Sequence, residues 1–299
     1  MITRRDLLKL LGAGFVTLAA TAAYPFTEVF GKPRVTEYRL SPRGWPMDLK
    51  LRAAVIADIH ACEPWMTASR IEAICRQTTE LDPDIILLLG DYVSGTKFVT
   101  RTVEASEWSA VLGTLRAPLG VHAILGNHDY LHDRPWHRDP SVAPSVLEAL
   151  QRVGISTYVN EAVPIHKEGA RFWLAGLGDQ LASPPGLSHD RPGKRGIDDL
   201  DMTLAGIPEG EPVILMAHEP DIFPPTDDRV SLTVSGHTHG GQFNLFGWRP
   251  VSASRASAKY PAGYFNVGGS ELIVSRGLGC SVLPLRVGSY PEILLLELG

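Results

Sequence analysis

The sequence has little cysteine, no surplus of positive charge and no long uninterrupted apolar run. Cys62, Cys75 and Cys280 are the only cysteines in 299 residues. An odd count leaves at least one thiol free in an exported chain, and so sparse a set argues against a thiolate-only metal site. Acidic side chains outnumber basic ones, 33 to 28, giving a net charge of −5. That balance excludes a protein that binds nucleic acid through a broadly basic surface. Phosphate esters stay open as substrates, because bound cations can supply the local charge. Internal repeats and low-complexity tracts are absent as well. What is present, 44% hydrophobic residues, is enough for one large core.

The longest apolar stretch, Leu10–Ala23, is broken by Gly12, Gly14, Thr17 and Thr21 and falls short of the roughly 20 residues that cross a bilayer. A twin arginine precedes it in Thr3-Arg4-Arg5-Asp6-Leu7-Leu8-Lys9, and Ala20-Thr21-Ala22 or Thr21-Ala22-Ala23 offers small residues for cleavage. Residues 1–23 therefore read as a twin-arginine signal peptide. The expected partners are the twin-arginine export machinery and, transiently through the leader, the membrane. The expected destination is the periplasm, the cell envelope or the outside, with membrane anchoring the alternative if the leader is not cleaved. Residues 24–47, carrying Pro25, Pro33, Pro42 and Pro46, read as a linker or N-terminal arm. Residues 48–299 read as the catalytic domain.

Within that domain, strand and helix signals alternate. Leu51–Ala57, Ile85–Leu89 and Val121–Leu125 are β-like; Ala68–Glu80, Glu104–Leu115 and Ser145–Val153 carry helical spacing. Short strands follow at 155–159, 164–166 and 172–176, then a helical stretch at 197–205. Strands dominate from Val213 onward. Parallel βαβ units early and more strands late predict an α/β fold with two sheets packed together and helices outside. Breaker-rich loops at 131–144, 183–196 and 240–263 are placed to shape the mouth of a site.

Five motifs stand at the ends of apolar runs: Asp58-Ile59-His60, Gly90-Asp91, Gly126-Asn127-His128-Asp129, His218 in Met216-Ala217-His218-Glu219, and Gly236-His237-Thr238-His239. Ligands gather at the carboxyl ends of strands in open α/β sheets, so distant motifs can converge. Their Asp, Asn and His side chains suit two divalent cations such as manganese, iron or zinc. Splitting a phosphate ester needs a nucleophile at neutral pH and neutralised equatorial oxygens. Two cations sharing a hydroxide provide both. Asp91 is placed to bridge them. Asp58 and His60 sit two apart at a strand end, where a loop can turn both inward and a regular strand also allows it, because i and i+2 share a face; His237 and His239 follow the same spacing.

In this order the motifs resemble the calcineurin-like metallophosphoesterases, over residues 51–239. The flanking Gly90-Asp91-Tyr92-Val93, Gly236–Gln242 and Ser275–Gly279, with the leader, resemble a narrower bacterial branch of twin-arginine-exported phosphodiesterases. The resemblance implies a four-layer α/β/β/α sandwich of two mixed sheets. It implies that Asp58, His60, Asp91 and His239 hold one metal and Asp91, Asn127, His218 and His237 the other. His128 would protonate the leaving oxygen without binding metal. The twin-arginine route carries folded proteins, which suits a chain that loads its metals before export.

Many relatives continue the Gly-Asp motif with Asp and Arg, the Arg serving protein phosphatases on the phosphate. Here Tyr92-Val93 follows Asp91, which argues against phosphoprotein substrates. Phosphodiester hydrolysis is expected, with phosphomonoester or nucleotide hydrolysis the alternative on the same site. A non-catalytic module of the same fold is disfavoured, because no expected position is empty. His122, His166 and His189 have nothing to organise them. His132 and His137 share the loop after His128, Cys62 reads as a small buried residue, and Arg276 reads equally as structural or substrate-facing.

Overall fold

The apolar runs ahead of the motifs become strands buried on both faces. A computed structural model describes residues 3–184, 195–225 and 227–299. In chain order the strands are β1 (Arg34–Leu40), β2 (Leu51–Ile56), β3 (Cys62–Glu63), β4 (Ile85–Leu88), β5 (Arg101–Thr102), β6 (Val121–Ala123) and β7 (Ser156–Thr157). There follow β8 (Glu161–Lys167), β9 (Ala170–Gly176), β10 (Val213–Met216), β11 (Val230–Ser235), β12 (Gly263–Val267), β13 (Ser270–Val274) and β14 (Glu292–Leu298). The helices are α1 (Arg4–Phe30), α2 (Ala68–Thr79), α3 (Ala105–Leu112), α4 (Asn127–Leu131), α5 (Arg134–Arg138), α6 (Ser145–Arg152), α7 (Leu200–Leu204) and α8 (Arg255–Lys259).

Among the described residues the strands form two six-stranded mixed sheets, ordered β1-β14-β2-β4-β6-β7 and β12-β13-β11-β10-β9-β8, plus the small pair β3-β5. Parallel pairing of β2, β4, β6 and β7 follows from the helices that cross between them. Strand alternation then divides the side chains. Leu51, Ala53 and Val55 of β2 face the second sheet, where Phe172, Ile214 and Leu232 meet them. Ala54 and Ile56 face the helices instead, against Ile71, Trp108 and Leu150. Leu204 of α7 closes the far face of the second sheet. The two-sheet sandwich flanked by helices is thus the predicted architecture.

α2 shows why the helices form where they do. Thr67 accepts the N–H of Arg70 to cap it, and Ile71, Ile74, Cys75 and Thr78 bury one stripe. Each of the two isoleucines contributes about 1.5–3 kcal/mol by leaving water.

The N-terminal segment is built into the body as an arm. Residues 24–47 are not a free linker: β1 pairs in parallel with β14 along its whole length, and Trp45 is packed on Phe172 between the sheets. The apolar helix does not stop at Ala23 either. α1 runs through Pro25 to Phe30, 27 residues in all, and is long and apolar enough to cross a membrane. Its root is docked. Glu28 is buried and accepts the N–H groups of Gly288 and Ser289, while the N–H of Arg286 donates to Pro25 O. Of the loop 183–196, Pro185, His189 and Pro192 lie outside the described residues.

Candidate metal centre

The five motifs meet at the carboxyl ends of central strands in both sheets, and the backbone makes the turn inward. Asp58, His60, Asp91, His237 and His239 have φ of 54°, 48°, 57°, 67° and 51°. Non-glycine residues held in this left-handed region cost about 1–3 kcal/mol each, and such strain collects at functional sites. Of the two routes the spacing allows, a turn of the loop rather than regular strand alternation aims these side chains. β2 ends at Ile56, and left-handed residues beyond it turn Asp58 and His60 to the same side.

Two buried groups of donors result. Asp58, His60 and His239 bring one donor atom each within 4.8 Å of one another, and Asp91, His218 and His237 do the same. Asp91 lies between the groups, its Oδ2 3.5 Å from His60 Nε2 and 3.3 Å from His218 Nε2. Asn127 joins the second group, with Oδ1 3.1 Å from His237 Nδ1. The structure thus brings together all seven residues that the sequence marks as metal ligands. His128 stands beside them and in neither group, its ring edge-on to His60 at 4.9 Å and its Nε2 3.4 Å from Ser281 Oγ.

The donor set fits two divalent cations. Nε2 of His218 lies 3.3 Å from Asp91 Oδ2, Nδ1 of His237 lies 3.1 Å from Asn127 Oδ1, and His60 Nε2 faces His239 Nε2 at 3.1 Å. Lone pairs crowded together in a buried site are costly, and a cation between them would remove that cost. The outward nitrogens set the tautomers. His60 Nδ1 donates to Val93 O at 3.0 Å and His218 Nδ1 to Leu89 O at 2.7 Å, so on both rings Nε2 is the nitrogen turned toward the other donors.

Residues 51–241 match the Calcineurin-like phosphoesterase family. The chain belongs to that family. Phosphodiesterase YaeI of Escherichia coli is 30% identical over 247 residues, covering 81% of this chain and 80% of its own. The uncharacterized metallophosphoesterase YkuE of Bacillus subtilis is 28% identical over 245 residues, 81% of this chain and 77% of its own. A transmembrane protein with metallophosphoesterase domain from Danio rerio is 27% identical over 290 residues, 93% of this chain but 60% of its own length.

Electrostatics in this calcineurin-like phosphoesterase pair one charge and neutralise the rest. Burial pushes His60 down to about 4 and His237 down to about 3, and lifts the Asp58 carboxyl to about 7. Burial disfavours the charge on Asp91 too, but the imidazoles of His218, His128 and His60 outweigh it and hold that carboxyl well below its usual range. Against its own burial, His218 is held well above the ordinary value by the Asp91 carboxylate. Neutral imidazoles are the form that binds a cation.

Several supporting residues were not assigned roles from sequence. Asp129 is buried and accepts four backbone N–H groups, those of Asp91, Tyr92, Val93 and Gly126, at 2.9–3.1 Å. It clamps the Gly-Asp loop to the Gly-Asn-His-Asp turn. Gly95 leaves room for His128: a Cβ there would lie 2.3 Å from His128 Cε1. Arg286 is fully buried, donating from Nη2 to His239 Nδ1 at 3.1 Å and to Arg276 O at 3.0 Å. Asp179 and Glu219 form a buried carboxylate pair behind His218; burial raises both above the ordinary range, and the Glu219 charge raises Asp179 further. Asp179, at the end of the neighbouring strand β9, carries no local sequence signal, whereas Asp129 and Glu219 lie within the motifs.

The ambiguous residues separate. His132 Nε2 lies 3.2 Å from His128 Nδ1. His122 is tied to Tyr158 Oη and Leu119 O, a structural role. Cys62 is buried outside both donor groups. Arg276 pairs with Glu292 at 2.6 Å, a structural role also.

Proposed function

We propose that this chain is a two-cation phosphodiesterase. Asp58, His60, Asp91 and His239 hold one cation, Asp91, Asn127, His218 and His237 the other. The observation that carries the reading is the pair of buried donor groups meeting at one carboxylate, Asp91. When bound, the cations supply a nucleophile at neutral pH and offset charge on the phosphoryl oxygens.

The chain's own residues do the rest. Asp91 fixes the backbone of His128 through a 2.8 Å hydrogen bond. The His128 ring, outside both donor groups, gives a proton to the departing ester oxygen, a role suited to an imidazole near neutral pH. Contact between His128 Nδ1 and His132 orients the ring from behind. A diester is favoured over a phosphoprotein. Tyr92, where many relatives have another side chain, is buried and stacked on Trp108, and Arg276 is taken up by Glu292. The relative named phosphodiesterase YaeI supports the same preference.

Export by the twin-arginine route, with α1 as leader or anchor, completes the reading. The leader motif supports it, as do the exposed apolar face of α1 and the transmembrane relatives. The deciding assay compares bis-aryl with mono-aryl phosphate after chelation and manganese readdition. Faster diester turnover that depends on manganese is expected. Metal-independent turnover, or none from protein shown to hold two ions, overturns the enzyme reading; faster monoester turnover favours a nucleotidase.

A further inference from the structure

An apolar cavity of about 220 Å³ opens beside the metal centre. Thr238 and His239 of the last motif form its inner wall, and Ser281, the neighbour of His128, its side. Phe243, Val251 and Leu283 line the remainder. A phosphoryl group at the centre therefore has carbon-lined space within reach of one of its ester arms, as ligand pockets commonly do. Of the lining residues Val251 and Val282 are exposed, and so are Phe246 and Trp248 in the segment between the lining residues Phe243 and Val251. Val282 is a β-branched residue at φ 58°, a genuine outlier.

The same rim is where α1 leaves the body. Arg286 N–H donates to Pro25 O, Leu285 N–H to Leu283 O, and Val287 N–H to Gln242 O. The strip 283–287 thus joins the root of the helix to the cavity wall. Leu7, Leu8, Leu10, Leu11, Phe15 and Val16 of α1 are exposed, and its N-terminal end carries Arg4, Arg5 and Lys9. At the root, Phe26 and Phe30 stand against Trp65, with Tyr24 beside Tyr290. That is the aromatic chemistry of a membrane–water interface. A bilayer holding α1 would meet the body at this root, which the strip 283–287 joins to the cavity wall.

We infer that the substrate is a membrane-borne phosphodiester whose alkyl or acyl chain occupies this cavity while its phosphate reaches the metal centre. The inference rests on the phosphodiesterase reading above. Water adds at phosphorus, the bond to one ester oxygen breaks, and that oxygen takes the proton, leaving a phosphomonoester and an alcohol.

The test uses the full chain, manganese-loaded in detergent, with two monomeric substrates, p-nitrophenyl methyl phosphate and p-nitrophenyl octyl phosphate. Each buried methylene contributes about a fourfold gain, so kcat/KM should rise about tenfold or more for the octyl ester. Leu283→Asp and Val251→Asp should remove that gain, bringing kcat/KM for the octyl ester down to that for the methyl ester. Should Leu283→Asp fail to fold, Val251→Asp on the exposed rim carries the test. Reconstituted in vesicles, Trp248→Ser should slow cleavage of a vesicle-borne p-nitrophenyl phospholipid and spare the octyl ester. Equal kcat/KM for the two soluble esters, or an octyl preference untouched by Val251→Asp, overturns the inference and leaves the phosphodiesterase reading standing. Failure to cleave either ester by protein holding two ions overturns that reading instead.

Discussion

The carboxylate of Asp91 accepts the backbone N–H of His128 on Oδ1 at 2.8 Å while its Oδ2 sits 3.3 Å from His218 Nε2. One side chain thus supports both a proposed ligand and the proposed general acid, and substitutions should separate the two roles. Asp91→Asn and His218→Ala should lose bound metal and activity together. His128→Ala should retain both metals and lose about 10²–10⁴-fold in rate, the usual share of a general acid. Elemental analysis beside turnover on a bis-aryl phosphate checks this. Metal loss in His128→Ala would assign that ring to the metals instead.

Much of this centre was legible because its chemistry is written in short motifs at strand ends. Asp58, His60, Asp91, Asn127, His218, His237 and His239 each follow a run that folds as a strand, so reading the strands located the donor side chains that the fold brings together. The sandwich was legible for a similar reason, since the near-continuous apolar runs of β2 and β4 mark strands buried on both faces. The N-terminal arm was not. β1 alternates weakly at an edge, and its partner β14 lies over 250 residues away. Arg286 was invisible because an arginine bound only by carbonyls and an imidazole leaves no motif. The left-handed turns at Asp58 and His237 were also hidden, because neither residue type demands positive φ.

Gly95 predicts a defect in rate without a defect in binding. A Cβ at this position would lie 2.3 Å and 2.4 Å from His128 Cε1 and Nδ1, so Gly95→Ala must displace the ring. Misplacing a catalytic group by about 1 Å costs up to about 10²-fold. Steady-state kinetics should show kcat falling by that order, with KM and bound metal unchanged. Unchanged kcat would mean that the ring position is immaterial to the chemistry.

Asp129 should matter to stability first. Both its oxygens are saturated by the N–H groups of Asp91, Tyr92, Val93 and Gly126, and Asn offers only one carbonyl oxygen to that set. Asp129→Asn should leave two donors facing an amide NH₂, at about 1–3 kcal/mol each. Thermal melting of the metal-free variant should show a drop of several degrees, and metal content should fall with it. A normal melting temperature would remove the clamp from the account.

The leader makes a prediction about place. Changing Arg4 and Arg5 together to Lys should retain the chain in the cytoplasm of a twin-arginine-competent host. Cell fractionation with an intact-mass measurement on the exported form then distinguishes the two fates of α1. Cleavage removes about the first 23 residues; anchoring leaves the full mass in carbonate-washed membranes. Export that ignores the twin lysine would discard the twin-arginine route.

Metal affinity should rise with pH, and the sign follows from two protons. In the cation-free chain Asp58 stays protonated below about 7, while His218 holds its proton against the Asp91 carboxylate. Both protons must leave before the groups can act as ligands. His60 and His237, pushed down to about 4 and about 3, are already neutral and add nothing above pH 5. Because its folded-state value lies above the unfolded one, Asp58 stabilises the cation-free fold at low pH and loses that contribution as pH rises through about 7. Manganese relieves the carboxylate, so the melting-temperature gap between loaded and chelated protein should widen from pH 6 to pH 8. Titration calorimetry in buffers of different ionisation enthalpy should register proton release, with affinity climbing about tenfold or more per pH unit below 7. A pH-independent affinity would show that neither Asp58 nor His218 carries a proton that the metal must displace.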